Sequence, residues 1–384
     1  MLVSVTVLLA AQVLLNGSDG SMGPLNPSTD QLLVVPPDGR FNYTFISIPT
    51  NVTVRFTRNG RNDPVFLLSQ GDVLIAGTIF AEGITGTLAG PGNGGAGGFD
   101  GGEASQGVGL GGSGHGPGGG RDVGAVPNVG ADRTSAGAYA TVPLNATSTA
   151  YGIASCFPLV GGSGGAGSRA LNGGSGLGGG GGGGGAVLIA SEGRITVTGK
   201  VTVRGGHAGP VNTIDGPGAG SGGAIRLVGN EVEVTGTLDA RGGGHTNALS
   251  NVVGGMGRIR IDAIKKSQAV SSLTTPPASL GTNLAVALDE MPRLELIAVA
   301  GISTNGQPFT KMLPSGSGSS HLVEMQAAGF PDCVDVSVRM VPELGTVTTT
   351  VLTGRPNGVI NTDIDIPANI KATVEISGKP AGCQ

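Results

Sequence analysis

The stretch VLIASEGRITVTGKVTVRG, Val187 to Gly205, decides how this chain folds. Ile195, Val197, Val201 and Val203 share one parity with Gly199 between them, while Arg194, Thr196, Thr198, Lys200, Thr202 and Arg204 take the other. A period of two means extended strand with one buried face. The same stretch aligns without a gap to VFLLSQGDVLIAGTIFAEG, Val65 to Gly83, where Val73, Ile75 and Ile79 repeat the alternation around Gly77. A third copy, IRLVGNEVEVTGTLDARG, Ile225 to Gly242, matches with one residue missing in a turn. GRIRIDA, Gly257 to Ala263, is a half copy, and FISIPTNVTVRF, Phe45 to Phe56, is a divergent copy ahead of the series.

Copies that cannot bury an apolar face alone must stack. The simplest assembly is a short parallel β-solenoid, one copy per coil, with Val73, Val187, Ile195, Ile225, Val232 and Leu238 pointing into one continuous core. Gly77, Gly199 and Gly236 recur at an inward position, which predicts a close backbone approach at the same corner of each coil. Matching outward residues, such as Arg194 with Glu231 and Thr196 with Glu233, should face each other across neighbouring coils.

Between the copies lie glycine tracts. The largest, Ile84 to Gly185, holds more than half of the chain's 75 glycines and ends in eight consecutive ones, Gly178 to Gly185. Ordering such a loop costs on the order of 1–2 kcal/mol per residue unless contacts offset it. Two readings stand. Glycine strands can pack on each other in a polyproline-like form that only a side-chain-free backbone allows, or the tract stays mobile. Phe99, Leu110, Tyr139, Phe157 and Leu159 interrupt the glycines and favour partial order.

The chain of 384 residues divides into an apolar opening segment (1–22), a glycine-rich solenoid (23–270, with 84–185 as its long insertion), a linker (271–293) and a final segment (294–384). Short alternating strands in the last, among them LELIAVA (Leu294 to Ala300), CVDVSVRMV (Cys333 to Val341), GTVTTTVLTG (Gly345 to Gly354) and ATVEIS (Ala372 to Ser377), predict a small Ig-like β-sandwich. The fold class expected is therefore all-β. Met1 to Leu15, without a charge, is either the core of a secretion signal or a buried opening strand, and is too short for a stable membrane span. Cys333 and Cys383 bracket the last segment and are expected to form a disulfide, with Cys156 free.

PVFLLSQGDVLIAGTI, GGGGGGGGAVLIAS, GSGGAIRLV and GGMGRIRIDA together resemble a group of poorly characterised glycine-rich exported bacterial proteins with β-helical, passenger- or adhesin-like repeats. The resemblance runs from about Asn42 to Ala263. It implies an extracellular or cell-surface role and supplies no catalytic residues.

Other readings of the glycines fail on context. GLGGSG, Gly109 to Gly114, matches a dinucleotide fingerprint, but no helix and no acid-tipped strand follow. GGAGGFD, Gly94 to Asp100, places its Asp one residue late for a calcium-binding nonapeptide. His207 and His245 occupy matching turns of consecutive copies and are weak metal candidates, with no third ligand spaced to join them. Polysaccharide lyases and hydrolases built on β-helices need clustered carboxylates or a basic residue on one outer face, and the outward Arg, Thr and Glu read instead as a solvated sheet. A Thr198/Thr235 ladder is too short for ice binding. The sequons at Asn16, Asn42, Asn51 and Asn145 would matter only in a secreted eukaryotic protein.

A net charge of -4 and the absence of a basic cluster argue against nucleic acid. No catalytic residue and no cofactor is expected. The function expected is that of a non-enzymatic, exported structural or adhesive protein that self-associates or binds a surface polymer. The alternative is a glycan-binding or polysaccharide-cleaving β-helix.

Overall fold

The computed structural model describes every residue except 1–15, 89, 106–110, 122–135, 144–145, 147, 169–177, 211–215, 245–252, 267–272, 287–292, 305–311, 315, 331–332, 343–346, 356, 369 and 381–384. Among the described residues all regular structure is β, and no helix is long and apolar enough to cross a membrane.

The first copies give β1 (Gln31–Val34), β2 (Arg40–Tyr43), β3 (Ile46–Ile48) and β4 (Thr53–Thr57), then β5 (Val65–Ser69), β6 (Val73–Ile75) and β7 (Thr78–Phe80). After the long glycine excursion come β8 (Ala186–Val197) and β9 (Lys200–Thr202), then β10 (Ala224–Val234) and β11 (Thr237–Asp239), β12 (Arg258–Lys266), β13 (Thr274–Thr275) and β14 (Ser279–Gly281). These strands form two parallel sheets, β14-β12-β10-β8-β5-β2 with β3 and β6 alongside, and β1-β4-β7-β9-β11-β13. Each copy therefore contributes to one sheet and then to the other.

The copies pair in the register in which they align. Val187 lies opposite Val65 and Ile225, and Ile195 opposite Val73 and Val232. The missing residue of the third copy appears as a register shift between Gly229 and Glu231. Val73, Val187, Ile195, Ile225, Val232 and Leu238 all lie in one buried cluster shared by the two sheets. At the corner, a Cβ on Gly199 would stand 2.1 Å from the Gly77 carbonyl oxygen, and one on Gly236 2.0 Å from that of Gly199. Only glycine permits this stacking. On the outer face, Arg194 pairs with Glu231, and Thr196 lies opposite Glu233.

The expectation of strands with a single buried face is corrected for part of their length. The first halves of the long strands are buried on both faces, because Phe66, Leu68, Ala186, Leu188, Ala190, Ala224 and Val228 pack under Tyr139, Cys156 and Leu159 from the glycine-rich excursion and under Val286. Near-continuous apolar runs such as AVLIA mark doubly covered strands. The stretch 271–293, read as a linker, supplies β13 and β14, which extend both sheets.

The last segment forms β15 (Arg293–Val299), β16 (Ile302–Ser303), β17 (Ser320–Ala328), β18 (Val334–Pro342), β19 (Thr348–Gly354), β20 (Val359–Asp365) and β21 (Ala372–Pro380). They make an antiparallel sheet β16-β15-β17-β20 and a second one β19-β18-β21. Val323 and Met325 of the first and Val336 and Val338 of the second belong to one buried cluster.

Candidate functional site

The glycine run has a regular environment. The N–H groups of Gly179, Gly182 and Gly185 donate to the carbonyls of Thr87, Ile84 and Ala81. Those of Gly180, Gly183 and Ala186 donate to Gly102, Phe99 and Ala96, and those of Gly181 and Gly184 to Gly218 and Ser221. The direction of bonding repeats every three residues. That is the period of a polyproline II helix, which has no internal hydrogen bonds and must bond laterally. Carbonyls follow the same rule: Gly180 and Gly183 accept from Gly92 and Gly95, Gly181 and Gly184 from Gly165 and Gly162, and Gly179 and Gly182 from Gly209 and Gly206. A Cβ on Gly182 would meet the Asn93 carbonyl oxygen at 2.1 Å, and one on Gly183 that of Gly162 at 2.0 Å. All eight glycines are buried. Their backbone groups are engaged in a lattice in the interior, so this tract is not itself a surface for a partner.

A second cluster sits on the covered outer face of the larger sheet. Arg226 is fully buried and bonds Asp262 Oδ2 through Nε (3.2 Å) and Nη2 (3.1 Å), while Arg260 holds Oδ1 of the same carboxylate at 2.7 Å. The Arg226 guanidinium also stacks over Phe157, 5.3 Å from the ring centre. Cys156 lies beside this group in a left-handed conformation (φ 49°). Burial pushes its thiol up to about 12, against the pull of Arg258, Arg226 and Arg260. A thiol so held is a packed core group and not a nucleophile. Cys156 and Phe157 stood out in the sequence, but Arg226, Arg260 and Asp262 were passed over. Their signal was there: Arg226 and Asp262 interrupt apolar runs at positions of the same parity.

A third cluster lies where the smaller parallel sheet gives way to the glycine lattice. Arg241 binds Asp239 at 2.7 Å, Arg204 approaches Asp239 at 3.9 Å, and Lys200 approaches Glu82 at 4.0 Å, with Glu82 also accepting from Thr202. Sequence spacing aligned Arg204 with Arg241 but did not foresee both on one carboxylate.

An open cleft of about 340 Å³ lies between the glycine-rich region and β18 and β21, lined by Arg58, Phe99, Asp100, His115, Arg339 and Glu375 among others. Arg58 grips Asp100 through two bonds, 2.6 and 3.2 Å. His115 Nδ1 contacts Glu375 Oε1, and Arg339 Nη1 reaches both Glu375 Oε2 (3.1 Å) and the Gly116 carbonyl (2.6 Å). No spacing in the sequence links residues so far apart.

The residues singled out earlier fall as follows. His207 Nδ1 accepts a hydrogen bond from the Gly244 N–H at 3.0 Å, which places it beside the next coil's turn. His245 lies outside the described residues. No group of three or more His, Cys, Asp or Glu side chains is arranged to hold a metal among the described residues. Cys333 is disulfide-bonded and Cys156 is free, while Cys383 lies outside the described residues. Asp100, the acid of the calcium-like stretch, is held by Arg58 and by the Gly94 N–H at 2.7 Å. In the dinucleotide-like stretch, residues 109 and 110 lie outside the described set, and the N–H groups of Gly112 and Gly114 are bonded to Glu103 and Gly120. No protein-family model, no curated protein and no solved structure matches the chain.

Proposed function

We propose that this chain is a non-enzymatic, exported structural or adhesive protein of the cell surface, a short β-solenoid braced by a glycine lattice and followed by an Ig-like sandwich. The observation that carries the reading is the lattice. The run Gly178–Gly185, with its N–H groups bonded to neighbouring segments and alongside two parallel ladders, makes a stiff body. Self-association would run through the ladder ends. β1 leaves Leu32 and Val34 exposed on an edge of one sheet, and β14 leaves Leu280 exposed on an edge of the other. A second copy is the partner that fits both.

Sedimentation velocity of the purified chain, with surface proteolysis of the cells that express it, tests this. Concentration-dependent assembly that Leu32→Lys with Val34→Lys abolishes, together with accessibility on intact cells, is the expected result. A monomer at all concentrations that is protected inside the cell would overturn it. The charged cluster of Glu82, Lys200, Arg204, Asp239 and Arg241 favours a second reading, binding or cleavage of an anionic glycan. A glycan array with a reducing-sugar assay separates the two.

A further inference from the structure

The parallel-sheet body and the antiparallel sheets meet through polar groups. None of the three buried apolar clusters contains residues from both. Across the seam run Arg339 Nη1 to the Gly116 carbonyl, His115 to Glu375, Arg121 Nη2 to Thr349 Oγ1 at 3.4 Å, and Arg61 to Glu295 at 3.8 Å. Interfaces of this kind allow relative motion of the two parts. The cleft lined by Phe99, His115 and Glu375 already opens between them.

We propose that His115, Glu375 and Arg339 form a pH-operated latch that docks the antiparallel sheets on the glycine-rich body when His115 is protonated and lets them separate when it is not. Glu375 sits on β21 between two donors, His115 from one side of the seam and Arg339 of β18 from the other. Asp100 adds a second negative charge near the imidazole, itself paired with Arg58. Arg121 stands near Arg339 and Glu375. Protonated His115 thus balances the acidic pair against the arginines, while neutral His115 loses the charge that strengthens its bond to Glu375 across the seam.

The docked state also has an internal cost. Nε and Nη2 of Arg339 are buried there without a hydrogen-bond partner among the described residues, and separation returns them to water. This cost opposes docking, in the direction that lets a latch open. Burial, the largest single influence on His115, lowers its affinity for a proton, but the hydrogen bond and charge of Glu375 together with the charge of Asp100 outweigh it, and Arg339 opposes them. The net direction is upward from 6.5. A group raised in the docked state contributes fully below its ordinary value and is lost as pH rises through the docked-state value.

The full chain, His115→Gln and Glu375→Gln would be compared at pH 5.5 and 8.5 by X-ray scattering and hydrogen exchange, with an NMR titration of the His115 ring. The wild type should be more compact at low pH. Exchange through 111–121, corrected for intrinsic rate, should be at least about tenfold faster at high pH. His115→Gln should resemble the high-pH form at both values, and Glu375→Gln should lower the His115 titration point. Identical scattering and protection in the wild type at the two pH values would overturn the latch, as would a His115→Gln protein that keeps the wild-type pH response or a titration point unmoved in Glu375→Gln. If a variant fails to fold, the wild-type comparison alone decides.

Discussion

At the scale of single residues, the buried charges set the sharpest expectations. Arg226 is surrounded by Asp262, the Asn283 carbonyl and the face of Phe157, so its charge depends on one carboxylate. Asp262→Ala should destabilise by about 3–5 kcal/mol in chemical denaturation, because it leaves a buried guanidinium without a counter-charge. Replacing both Arg226 and Asp262 by apolar residues should cost less than the single change, and a double variant worse than Asp262→Ala would refute the pairing argument. Cys156 gives a pH dependence of definite sign. Its folded value is raised to about 12, so the folded state holds a proton that the unfolded state releases near the ordinary thiol value. The contribution is present below that ordinary value and declines as pH rises from it towards 12. Cys156→Ala should therefore flatten the loss of stability seen on alkaline titration, and the native thiol should stay unreactive to Ellman's reagent until the chain unfolds. The parity of Val197 was legible from its alternating neighbours, and its complete burial opposite Ile75 and Val234 follows from that parity. The partners of Arg226 were not, since an arginine on an outward position of a strand reads as solvated until something is known to cover it.

At the scale of elements, the copies carried their own register, because each aligned residue is the partner of its counterpart in the next copy. Val187, Ile225 and Ile259 form one column, and the single-residue deletion surfaces as the bulge at Gly229. What covers β8 and β10 was not legible. The covering residues, Tyr139, Cys156 and Leu159, lie in the glycine-rich excursion, which has no period of two and no helical period to place them. The lattice itself was one of two open readings, and its three-residue bonding pattern settles the local contacts of Gly178 to Gly185. A side chain at Gly182 has no room, so Gly182→Ala should destabilise by roughly 1–3 kcal/mol and Gly182→Val by more. Gly90 offers the control, since a Cβ there meets nothing within 4 Å. Gly90→Ala should be neutral or stabilise by up to about 1 kcal/mol by restricting the unfolded chain. Thermal melts read both signs, and hydrogen exchange across Gly178 to Ala186 should be slow. Fast exchange with unchanged melting in Gly182→Val would mean that the tract is a leash after all.

At the scale of the whole molecule, the separation of the apolar clusters governs cooperativity. Two of them lie within the parallel-sheet body and share β8 and β10, so they should melt together. The third belongs to the antiparallel sheets and touches the rest through the polar seam, so it should melt on its own. Calorimetry of the full chain should show two transitions. Among the described residues the disulfide-bonded cysteine, Cys333, belongs to the segment of the antiparallel sheets. A crosslink stabilises chiefly by restricting the unfolded chain, typically by about 2–4 kcal/mol, so a reductant should lower the transition of the antiparallel sheets and leave that of the parallel body in place. The same experiment distinguishes the seam from the core. Arg339→Ala removes bonds on both sides of the seam, to Gly116 and to Glu375, and should bring the two transitions further apart without abolishing either. A single transition that shifts as a whole with reductant and with Arg339→Ala would show that the two parts fold as one cooperative unit, and the independence argued from their separate cores would fail.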